Sequence, residues 1–189
     1  MTASNSFHFA SVVELEAWFA KNHQRATELW VRMFKKDSGT PSVTWNDCVE
    51  VSLAWGWIDG HRKALDKQSF LQRITPRRAR SNWSQRNCAI AERLIAEGKM
   101  QPAGFEQVKA AKADGRWDKA YSGSADMTLP DDFLKALNKN STAKKTFAKL
   151  TKSRLFAIYY RLHSAKKPET RQRRMDALLA KLARGEVDL

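Results

Sequence analysis

Cysteine is scarce in this sequence. Cys48 and Cys88 are the only two, and neither belongs to a C-x-x-C pair. That excludes a disulfide scaffold and suits a reducing compartment, so a cytoplasmic location is expected. Long apolar runs are missing too: no stretch approaches the roughly 18 residues of a membrane span. Near the start, Glu14 and Glu16 interrupt the one apolar segment, and no basic segment precedes it as a secretory leader would require. His8, His23, His61 and His163 show no H-x-x-x-H spacing, and the two cysteines do not complete a tetrahedral set, so no metal is expected. The G-x-S-x-G elbow, the phosphate-cradling glycine loop and the dinucleotide fingerprint are all absent. No cofactor is therefore expected, and the chain carries no signature of the common hydrolase, NTPase and oxidoreductase classes. An enzyme of uncommon type stays open.

Acid is also scarce, and most so where base is richest. The chain carries 34 Lys and Arg against 20 Asp and Glu, a formal charge of +14. An excess of this size favours anionic partners: a small anion, nucleic acid bound weakly and without sequence preference, or an acidic protein. The same excess also serves as an ordinary solvated surface. No carboxylate occurs between Asp66 and Glu92, and that interval holds "TPRRARSNWS", residues 75 to 84, with Arg77, Arg78 and Arg80 between a proline and a tryptophan. A second block, Lys144 to Arg174, has eleven Lys or Arg and the single acid Glu169.

What is plentiful argues for a packed globule: 42% hydrophobic residues, with seven Trp and nine Phe. Ser11 with Glu14 forms a capping-box pattern in which each side chain would satisfy the other's backbone N–H, and Val12, Leu15, Trp18 and Phe19 follow at helical spacing. "ELWVRMFKK" is β-branched and aromatic and ends in the turn cluster "DSGTPS", which predicts a strand. Thr44 and Asp47 open a second helix, with Trp45, Cys48, Val49 and Leu53 expected on its inner face and Gly56 at its end. "WIDGHRKALD" and "SFLQRIT" flank a polar turn at about Lys67 and Gln68 and read as a β-hairpin.

Further along, Cys88, Ala91, Leu94 and Ile95 mark a helix begun by Ser84 and closed by Gly98. Phe105 with Val108 mark another before Gly115. After the small and polar "YSGSADMTLP" nothing reads as a strand, and the apolar spacing from Phe133 to Leu182 predicts about four short helices. The expected class is α+β: an N-terminal region over 1–122 with a small sheet and helices, then an all-helical region over 129–189.

Five strings stand in order along this chain: "GWIDG", "TPRRARSNWSQRN", "GKMQPAG", "DGRWDKAY" and "AKKPETRQRRM". In their order and spacing, from about Phe7 to Gly185, the chain resembles the YdeI/OmpD-associated family, also called bacteriocin-protection proteins. The resemblance implies a bacterial cytoplasmic protein linked to tolerance of bacteriocins, antimicrobial peptides and envelope stress. It implies no reaction. Relatives often carry Cys just before the aromatic residue that precedes the Gly of "GWIDG"; here those positions are Ala54 and Trp55, which weighs against a thiol nucleophile.

Three chemical readings follow. In the first, Arg77, Arg78, Ser81, Ser84 and Asn87 line an anion site at the start of the helix after the basic loop, where guanidinium forks, hydroxyls and free N–H groups converge. Trp83 would offer a ring to stack on a ligand, or serve as a buried anchor. The bland alternative is that Asp59 and another acid pair with Arg77 or Arg78 and lock the hairpin to the helix. In the second, Asp59 acts as general base of an enzyme for a small phosphorylated or carboxylated substrate, set against a plain turn or ion-pair role before Gly60. In the third, the chain is a scaffold for an acidic protein partner; Arg171 and Arg174, three apart on the last helix, form a secondary basic patch that can meet one anionic surface. Pro168 is placed for the first position of that helix and Glu169 for its first turn.

Overall fold

The computed structural model describes residues 6–188. These divide into two compact units: one takes in the chain through Trp83 together with Asn87–Lys119, the other Ser84–Arg86 and the chain from Ala120 onward. The architecture is α+β, with three antiparallel strands among helices in the N-terminal half and helices alone beyond it.

In the first unit, α1 (Val12–Asn22) starts where Ser11 Oγ accepts the N–H of Glu14. The reciprocal bond shifts by one residue: the Glu14 carboxylate takes the N–H of Ala10 at 2.8 Å, not that of Ser11. Leu15 and Phe19 are buried, whereas Val12, expected beside them, is 36% exposed. The strand β1 (Leu29–Phe34) alternates as its composition predicts, with Leu29, Val31 and Met33 facing the core. It pairs with β3 (Ser69–Pro76), which lies between β1 and β2 (Trp57–Ala64). The turn between β2 and β3 falls at the expected Lys67 and Gln68. The register of β2 slips between Asp59 and Arg62, and the buried Gln72 side chain donates to the Gly60 carbonyl there at 3.0 Å.

The helix α2 (Trp45–Ala54) carries the full capping box of Thr44 and Asp47. It ends at Gly56, whose φ of +75° is the left-handed conformation glycine adopts without penalty. Cys48, Val49 and Leu53 are buried as expected, but Trp45 is turned outward. At the first helical position its indole reaches sideways to β2 instead of down onto the core. Phe105 likewise stands outward on α4 (Pro102–Ala113), while Val108 packs inward; α3 (Gln85–Ala96) ends at Gly98. The core of this unit gathers Phe9, Leu15, Phe19, Val31, Met33, Val43, Cys48, Trp57 and Ile74. A fully buried Phe such as Phe19 contributes about 2–3 kcal/mol relative to exposure.

In the second unit, α5 (Asp131–Asn138), α6 (Ser141–Phe147), α7 (Lys152–His163) and α8 (Pro168–Ala183) pack around Phe133, Leu137, Ile158, Leu162, Leu178 and Leu182. Pro168 and Glu169 take their expected places at the start of α8. Ser84 forms a parallel bridge with Tyr121, and the N–H of Gln85, at the first position of α3, donates to the Tyr121 carbonyl at 2.9 Å. Among the described residues no helix is long and apolar enough to cross a membrane.

Candidate functional site

The basic loop after β3 is stitched to its own unit. Arg77 is 6% exposed; its guanidinium lies 3.6 Å over the ring of Trp83, its Nη1 donates to the Asn82 carbonyl, and its backbone N–H donates to the Gly56 carbonyl. Trp83 is fully buried against Trp117, with centroids 4.9 Å apart, and the Lys112 ammonium lies 4.9 Å over the outer ring. The order Arg77, Trp83, Trp117, Lys112 is thus a stack of cation, ring, ring, cation. Each cation is attracted by the negative face of the ring it covers.

Ser81 closes a tight turn with Arg78: its N–H donates to the Arg78 carbonyl, and its Oγ accepts the Arg78 N–H at 3.0 Å. The Ser81 carbonyl accepts from Arg116, which also pairs with Asp114. Asn87 is buried in the same unit, Ser84 is buried in the other, and Arg78 and Arg80 are exposed. The expected group is therefore distributed: Arg77, Trp83 and Asn87 inside, Ser81 in the turn, Arg78 at the surface.

Asp59 stands in β2 opposite Ile74, not in a turn as its place before Gly60 suggests, and its Oδ2 accepts the indole N–H of Trp45 at 3.1 Å. The two thiols are buried. Burial, reinforced by the Asp47 and Asp59 charges, pushes Cys48 up to about 12, and burial pushes Cys88 up to about 11. Among the described residues no three His, Cys, Asp or Glu side chains are placed to hold a metal ion.

In the second unit the Arg171 and Arg174 pair separates by role. Arg171 forms a two-pronged ion pair with Asp132 of α5, its Nη2 donating to Oδ1 at 2.9 Å. This hydrogen bonding holds the Asp132 carboxyl below its ordinary range. Arg174 donates to the Arg161 carbonyl at 2.7 Å and to Ser164 Oγ at 3.1 Å, capping the end of α7. Around it opens a groove of about 520 Å³ lined by Tyr160, Arg161, Ser164, Arg173, Arg174 and Ala177. Three guanidinium groups and no carboxylate line it. Arg161, Tyr160 and Ser164 carry no sequence signal for this role, since α7 and α8 bring them beside Arg173 and Arg174 only on packing.

This helical unit with an arginine-lined groove coincides with a known family domain: residues 126–185 match the family described as bacteriocin-protection, YdeI or OmpD-associated. Residues 7–107, more than half the chain, match the domain of unknown function DUF8412, and the chain belongs to that family. The bacteriocin-protection match is therefore confined to the C-terminal part, rather than running from Phe7 to Gly185. "AKKPETRQRRM" falls inside it, "GWIDG", "TPRRARSNWSQRN" and "GKMQPAG" fall in the N-terminal family, and "DGRWDKAY" lies in neither. No curated protein and no solved structure matches the chain.

Proposed function

We propose that the protein is a cytoplasmic bacteriocin-tolerance factor that works by binding an anionic ligand or polymer rather than by catalysis. One observation carries this reading: Arg161, Arg173 and Arg174 converge on one groove whose lining holds no acid. Like charges so gathered repel one another, and an anion relieves that repulsion while filling the guanidinium forks. The family match over residues 126–185 supports the tolerance role and encloses every residue of the groove. Arg78 and Arg80, exposed on the basic loop, add a second and weaker contact for a long polyanion. An enzymatic reading gains nothing from Asp59, whose carboxylate is engaged by an indole, or from the two buried thiols.

Fluorescence anisotropy with a labelled single-stranded oligonucleotide and with polyphosphate, at increasing salt, tests the reading. Affinity should fall steeply with salt, and the double variant Arg161→Ala, Arg173→Ala should bind about tenfold more weakly with a salt slope shallower by about two. The same variant should fold normally and no longer protect cells against a bacteriocin. Absence of binding at low salt, or undiminished binding by the double variant, would refute it.

A further inference from the structure

The first unit holds a second groove, of about 540 Å³, whose composition differs from that of the arginine groove. Its walls are aromatic, formed by Phe34 at the end of β1, Phe70 near the start of β3, and Trp45 at the start of α2, with Val43 beneath. The volume suits a small organic molecule. Trp45 is 42% exposed, yet it is held in place: the Thr44–Asp47 capping box sets the start of its helix, and Asp59 accepts its indole N–H. A ring fixed in this way presents its face without the ordering cost of a mobile side chain.

The rim selects among ring-shaped ligands. Ser42 spends its hydroxyl proton on the Val43 carbonyl, Thr44 spends its own on Asp47, and the Lys35 ammonium donates to the Lys67 carbonyl. A sugar needs many free donors and acceptors and would meet few here. Lys35 keeps its charge after that one bond, the exposed Lys36 ammonium lies beside it in the sequence, and the lining contains no carboxylate. Aromatic walls beside two lysines, with no acid in the lining, complement a flat apolar group bearing negative charge.

We propose that this groove binds an aromatic monocarboxylate, its ring against Trp45, Phe34 and Phe70 and its carboxylate on Lys36. The site shares no residue with the arginine groove, so it stands whether or not that groove binds a polyanion.

The test is a titration of the full chain with indole-3-acetate and with its neutral amide, followed by the indole N–H resonance of Trp45. Saturable shifts are expected with the acid, and the amide should bind about fivefold more weakly, the effect of losing one partly exposed ion pair. Lys36→Gln, at an exposed position that leaves the fold intact, should weaken the acid to the level of the amide and leave the amide unchanged. No saturable shift up to about 20 mM of either compound would overturn the proposal. So would equal binding of acid and amide, indifference to Lys36→Gln, or saturable shifts with N-acetylglucosamine in place of the acid.

Discussion

Arg77 and Arg78 are neighbours with opposite fates. The guanidinium of Arg77 is enclosed and lies on the Trp83 ring, while that of Arg78 reaches solvent. Replacing a buried, stacked side chain removes both packing and the attraction to the ring, so Arg77→Gln should lower stability by about 1–3 kcal/mol. Arg78→Gln should change it by no more than about 0.5 kcal/mol. Urea melts followed by tryptophan fluorescence check this; equal and small effects would show that the stack does not anchor the loop. If phosphate raises the melting temperature of the parent protein but not of Arg78→Gln, an anion also binds at this loop.

At the scale of elements, the contact between α2 and α4 depends on one missing side chain. A methyl group on Gly104 would collide with the Ala54 carbonyl and the Met100 sulfur and would lie 2.8 Å from the Leu53 carbonyl. The Gln101 N–H donates to that same Ala54 carbonyl at 3.1 Å, so the two backbones cannot simply move apart. Alanine gains about 1 kcal/mol of helix propensity over glycine, but overpacking against fixed backbone costs more. Gly104→Ala should therefore destabilise by a net ~1–3 kcal/mol in thermal or urea unfolding. A variant as stable as the parent would mean that α4 can shift.

The ion pair that ties α5 to α8 is acid-sensitive in a defined direction. The Asp132 carboxyl is held below its ordinary value chiefly by the Arg171 hydrogen bonds. Its contribution is thus complete above the ordinary carboxylate range and is lost as pH falls through the lowered value. Half-exposed and screened by solvent, the pair is worth only about 0.2–1 kcal/mol. Hydrogen exchange of the α5 and α8 amides should be faster in Asp132→Asn than in the parent at neutral pH, and the difference should vanish once pH has fallen through the lowered Asp132 value. A difference that persists in acid would exclude the ion pair as its cause.

Across the whole molecule, the charge of +14 is spread unevenly in function. Some cations are committed to partners within the fold: Arg77 on a ring, Arg116 on Asp114, Arg171 on Asp132. Others, among them Arg78, Arg80, Arg161 and Arg173, stand at the surface. A count of charge is blind to that division, and only the exposed group contributes to the salt-dependent binding proposed above.

Local chemistry made most of the elements legible. The Thr44–Asp47 box, the left-handed glycines 56 and 98, Pro168 at the start of α8 and the alternation in β1 each depend on residues a few positions apart, so a linear reading recovers them. The same reading failed for Trp45, because its indole direction is decided by Asp59, fourteen positions away on β2. It also could not tell Arg77 from Arg78, since burial of the first requires Trp83 and Trp117 to meet from segments far apart in the chain. Of the arginine pair expected on the last helix, only Arg174 lines the groove, since Arg171 turns to Asp132. Arg161, Tyr160 and Ser164 joined it only when α7 packed against α8, because proximity between helices is set by how their apolar faces fit and not by spacing along the chain.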